Sequence, residues 1–175
     1  ISDKANKTNN INLDLKTIKF KIDLKELSLF LNTQNPKINY KGFIIPVENI
    51  KVYVDFLSVL KSDPKIEKIN FVLKELHVTQ LNKLSSAIKP SNFTSILNNK
   101  INDGKLICEI DIFLSDKGTI ENFIANGTVK NLKAQIFDDL NFSKGELSFF
   151  ADKNDILIKN IYGAVEDIKI SDGDL

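Results

Sequence analysis

The chain has 175 residues, of which 42% are hydrophobic and 27% charged, with a net charge of +1. Such a composition belongs to a folded domain and excludes a disordered tract. The near-zero charge leaves no electrostatic footprint for nucleic acid, and every basic residue is Lys, so the bidentate group that best reads phosphates and base edges is missing.

Residues 1–10, ISDKANKTNN, carry almost no apolar side chains and read as a frayed N-terminal segment. No Gly-, Ser- or Pro-rich linker follows, so 11–175 reads as a single unit. From Ile11 the period is two. Ile11, Leu13 and Leu15 alternate with polar residues, as do Ile18, Phe20, Ile22 and Leu24; this marks strands with one buried face. Beyond Leu24 the parity shifts to Leu27, Leu29 and Leu31. NTQNPK reads as a turn, a strand passes through Tyr40, and KGFIIP leads into Val47, Ile50, Val52 and Val54. In DFLSVLKSDP the apolar spacing predicts a short helix, with Asp55 as N-cap and Pro64 beyond its end.

Strand signal returns at Ile66, Ile69, Phe71, Leu73, Leu76 and Val78. A helical insertion is expected within 80–101. Leu81, Leu84 and Ile88 share one face, Pro90 interrupts, and Ser91 caps a second piece bearing Phe93, Ile96, Leu97 and Ile101. NDG at 102–104 is a turn signal. The cleanest alternation follows, with Leu106, Cys108, Ile110, Ile112 and Leu114 on one side and Ile107, Glu109, Asp111 and Phe113 on the other. After SDKG, strands are expected around 120–125, 127–137, 145–151, 156–162 and 163–171, parted by NG, SKG and DKND. Short connections favour antiparallel neighbours.

One phrase recurs: LKELSL (24–29), VENIKV (47–52), LKELHV (73–78), VKNLKA (129–134) and VEDIKI (165–170). Two polar residues stand between apolar ones. Val129 and Leu132, or Val165 and Ile168, therefore cannot share a face of one regular strand. A bulge, a bend or passage to the other face is required. A bend repeated in successive strands makes a curved, stacked sheet; a curved β-sandwich with coincidental similarity is the alternative.

At these residues the chain resembles the AsmA-like proteins of the Gram-negative envelope, AsmA, TamB and YhdP among them. The likeness is best over 45–78 and 127–175, in loose patterns of apolar residues and glycines. The resemblance implies a mainly β fold, a twisted antiparallel sheet forming a U-shaped apolar groove. It also implies a periplasmic segment of a longer protein, anchored in the inner membrane elsewhere, that carries phospholipids between the two membranes. Implied partners are phospholipid acyl chains, neighbouring segments of the same long chain and a membrane met through other regions. No cofactor, metal or nucleic acid is implied, and no catalytic residue is carried over. Candidate groove residues are Leu106, Cys108, Ile110, Ile112, Leu114, Leu132, Ala134, Ile136, Ile168 and Ile170. Lys105, Glu109 and Asp111 would face outward. For each apolar residue an ordinary core position is the competing reading. Rival functions are an assembly factor receiving client β-strands on an open edge, and a structural spacer or adhesin module.

Other chemistry is sparse. His77 is the only histidine and falls on a polar strand position. Cys108 is the only cysteine, so no internal disulfide is possible, and its parity makes it a small buried hydrophobe. SDGDL at 171–175 lacks the further ligands of a calcium loop and reads as a turn.

Overall fold

The computed structural model describes residues 11–15, 17–23, 28–88, 95, 99–137 and 139–174. Twelve strand segments form one open antiparallel sheet. They are β1 (Ile11–Asp14), β2 (Ile18–Asp23), β3 (Ser28–Gln34), β4 (Lys37–Tyr40), β5 (Phe43–Val54), β6 (Ile66–Leu73), β7 (Leu76–His77), β8 (Ile101–Leu114), β9 (Ile120–Phe137), β10 (Leu140–Asp152), β11 (Ile156–Val165) and β12 (Ile168–Gly173). The segments stack nine rungs deep. β1 and β2 lie end to end against β4 and β3, which lie end to end against β5. β6 and β7 share the rung between β5 and β8. Each rung pairs only with those before and after it in sequence, so the sheet is a meander without crossovers.

The long strands run straight through three expected turns. NDG lies inside β8, NG inside β9 and SKG inside β10. Local propensity marks these glycines as turn residues, but the sheet uses them as room for neighbours. A β-carbon on Gly127 would meet Phe149 Cε1 at 2.5 Å, and one on Gly145 would meet Leu132 Cβ at 2.9 Å. Large side chains lie across glycines of the adjacent strand, which lets the sheet bend without opening a gap.

NTQNPK is likewise a kink rather than a turn. Gln34 faces Asn49 and Lys37 faces Pro46, so the pairing stays in step across Asn35 and Pro36. Asn35 takes a φ of 47° there, and its N–H donates to the Glu48 carbonyl at 2.7 Å. VEDIKI, expected within one strand, instead spans the hairpin between β11 and β12. SDGDL is not a turn either, since Ser171–Gly173 completes β12.

Two bounded helices lie among the described residues. In α1 (Phe56–Leu60) the Asp55 carboxylate accepts from the N–H groups of Leu57 and Ser58 at 3.0 and 3.1 Å, the expected N-cap. The second, α2 (Val78–Ile88), begins directly after β7 and packs against β5, β7 and β8. It carries the first expected helical piece, but Ile101, assigned to the second, opens β8. Ser95, Asn99 and Lys100 of that second piece are helical; its residues 91–94 and 96–98, the frayed segment 1–10 and most of LKELSL lie outside the described residues.

Candidate functional site

Register and parity sort the side chains onto two faces. One row across the sheet reads Ile18, Thr33, Ile50, Phe71, Ile110, Ala125, Ala151, Ile156, one residue from each of eight rungs. A neighbouring row reads Phe20, Leu31, Val52, Ile69, Ile112, Phe123. One residue over, on the opposite face, the row reads Lys19, Asn32, Lys51, Asn70, Asp111, Ile124, Asp152. The sheet thus has one continuous apolar face and one mainly polar face.

The repeated phrase keeps that division intact. Val47 and Ile50 are three apart, yet both belong to the buried cluster with Ile38, because the β5–β6 register slips between Val47 and Asn49. Leu73 faces Val47, and after the break at Lys74 and Glu75 Leu76 faces Leu106. Val129 and Leu132 both reach the space above Gly104, at 3.8 and 3.5 Å from where its β-carbon would lie. Val165 and Ile168 sit opposite each other across the hairpin. Every described copy therefore returns its odd-spaced apolar residue to the same face. A bulge serves in two copies, a break between strands in the third and a hairpin in the fourth.

A sharper repeat lies inside this pattern and escaped the phrase. Val129–Leu132 (VKNL), Phe142–Gly145 (FSKG), Ile158–Ile161 (IKNI) and Ile170–Gly173 (ISDG) each place their third residue in the left-handed region. The φ values are 53° for Asn131, 52° for Lys144, 53° for Asn160 and 64° for Asp172. The fourth residues pair across the strands, Leu132 with Gly145 and Ile161 with Gly173. In both pairs an aliphatic side chain lies over a glycine. The signal was present as four tetrads of one form, but a six-residue window centred on Glu or Asn hid it.

All ten candidate groove residues fall on the apolar face. Leu106, Cys108, Ile110, Ile112 and Leu114 share the parity of β8. Leu132, Ala134 and Ile136 share that of β9, and Ala134 leads by register through Phe142 and Val165 to Ile168. Ile170 faces Gly163 beside it. Burial is graded. Ile50 and Cys108 are 6% exposed near the centre, whereas Phe20 is 68% and Ile156 and Ile168 are each 71% exposed toward the margins. Among the described residues no second sheet covers this face.

Cys108 is held in the thiol form. Burial first, and the nearby Glu109 carboxylate second, push its pKa up to about 11. On the polar face, the Asn70 side-chain amide, 3% exposed, donates to Glu109 Oε1 at 2.7 Å and to Asp111 Oδ1 at 2.8 Å. Lys68 lies 3.7 Å from Asp111 and 4.4 Å from the centre of the Tyr53 ring. Lys105 pairs with Glu75 at 2.8 Å, and this hydrogen bond holds the Glu75 carboxyl below its ordinary range. His77 is exposed, 3.8 Å from Glu75. Glu109, Asp111 and Lys105 thus face away from the apolar rows, as alternation requires.

Three or more His, Cys, Asp or Glu side chains in a metal-binding group do not occur among the described residues. No helix there is long and apolar enough to cross a membrane. No protein-family model, curated protein or solved structure matches the chain.

Proposed function

We propose that this chain is a segment of an AsmA-like bridge, and that its apolar face guides phospholipid acyl chains through the periplasm between two membranes. The observation that carries the reading is the row from Ile18 to Ile156, which crosses eight rungs without a charged residue and without a covering sheet. Hydrocarbon gains about 0.8 kcal/mol for each methylene taken out of water, and this needs no directional contact. A surface of Ile, Leu, Val and Phe, fixed by backbone pairing alone, supplies that gain at every rung. Headgroups stay in water at the margins, so a chain without arginine still serves.

Photo-crosslinking tests it directly. A photoreactive residue at Ile110 or Ile112 should capture phospholipid, and one at Glu109 or Asp111, on the opposite face, should not. A filled and sealed face gives no adduct at any of the four positions. Equal capture from both faces means unspecific adhesion. Either result ends the proposal.

A further inference from the structure

The kink in the second rung opens a cleft of about 730 Å³, bordered on one side by Ile45 and Val47 of the buried apolar cluster. Lys19, Lys37 and Lys74 line it together with Gln34, Ile44 and Pro46. Phe20 and Ile38 belong to the apolar rows, so alternation sends Lys19 and Lys37 to the other side of the sheet. Among the described residues no Asp or Glu lines the cleft; Asp14 faces Lys37 on the adjoining strand, yet none of the three ammonium groups forms an ion pair with a described residue. Ile44 stands among them 67% exposed.

Three cations without an ion pair among the described residues, around an exposed aliphatic residue, fit a ligand that is anionic and apolar at once. Free phosphate would use the charges and leave Ile44 and Pro46 idle. A bilayer with anionic headgroups offers both, because lysines reach the phosphates while an aliphatic side chain enters the interface. We infer that this cleft docks the polar face of the protein onto an anionic membrane surface, with Lys19, Lys37 and Lys74 on the headgroups and Ile44 in the interface. The contact is independent of any traffic along the apolar face.

Flotation with vesicles is the test. The folded protein should rise with vesicles containing about a third phosphatidylglycerol and stay down with pure phosphatidylcholine. Each Lys→Ala substitution at 19, 37 or 74 should weaken binding about fivefold, since a lysine near an anionic surface contributes about 1 kcal/mol. Ile44→Ser should weaken it as well. Lys19, Lys37 and Lys74→Ala together should abolish binding, whereas Lys117, Lys159 and Lys169→Ala together remove the same charge elsewhere and should leave most of it. Equal loss in both triple variants makes the effect one of net charge and overturns the cleft. Equal binding to neutral vesicles assigns the contact to the apolar face and also overturns it. Displacement by millimolar inorganic phosphate, with no effect of Ile44→Ser, replaces the membrane by a free anion.

Discussion

Phe149 lies across Gly127, its direct partner on the next strand, with Cε1 2.5 Å from where a β-carbon on the glycine would stand. The carbonyl oxygen of Ile107 is equally close to that point, so a new methyl group meets backbone as well as ring. Gly→Ala at a compatible site normally stabilises a protein by about 0.4–1 kcal/mol. At Gly127 the sign should invert, with a loss of about 1–3 kcal/mol from overpacking. Urea unfolding of Gly127→Ala measures it, and a midpoint at or above that of the parent would contradict the packing described.

Asn70 holds Glu109 and Asp111 together through one amide. Asn70→Asp puts a third carboxylate at a position only 3% exposed. The variant should lose about 3 kcal/mol or more at pH 7, as a buried uncompensated charge does. The new carboxyl has a folded pKa raised above its unfolded value. Its protonated form relieves the repulsion, so the deficit should shrink as pH falls through that raised pKa toward 4. Denaturation of both proteins between pH 4 and 8 reports it; a deficit that does not vary with pH would exclude the electrostatic cause.

Cys108 should resist alkylation. Its thiol is buried and its pKa stands near 11 against an ordinary 9.0. Iodoacetamide at pH 8 should label it slowly in the folded chain and rapidly in denaturant. Stability tied to this group is intact below pH 9 and falls as pH rises toward 11, because there the unfolded chain has released a proton that the folded one retains. Cys108→Ala should remove that part of the slope, which a comparison of the two unfolding curves between pH 9 and 11 isolates from lysine titration.

The outer edges of β2 and β12 have no partner strand among the described residues. Unpaired edges recruit other chains. The 175-residue chain should self-associate, or gain stability when it is extended at its ends. Ile168, 71% exposed on β12, is the place to interfere; Ile168→Lys should shift sedimentation toward monomer. A chain that is monomeric at high concentration and unchanged by extension would be self-contained.

Strict alternation made the β8 face legible, because Leu106 through Leu114 has no glycine and no odd step. The N-cap at Asp55 was equally plain, since an acceptor side chain just before an apolar turn has little else to do there. Glycines misled. At Gly104, Gly127 and Gly145 a turn residue and a residue that makes space for Leu132 or Phe149 look identical along the chain, and only the neighbouring strand tells them apart. The odd spacing of Val47 and Ile50 announced a break but not its kind. Bulge, bend and change of face have the same sequence, and the choice among them is made by register against β6. The basic cleft left no local mark at all, since its three lysines come from β2, from β4 and from the link between β6 and β7.

The meander has a consequence for size. Adjacent strands lie about 4.8 Å apart, so the eight steps between the first and ninth rungs amount to about 38 Å measured along the sheet. Inserting one rung would leave the chain running the wrong way for everything downstream. Inserting two restores its direction and adds about 9.6 Å. The reach of such a protein therefore changes by whole hairpins, as the paired tetrads of β9–β10 and β11–β12 already illustrate, and duplication of a single hairpin is enough to make a longer one.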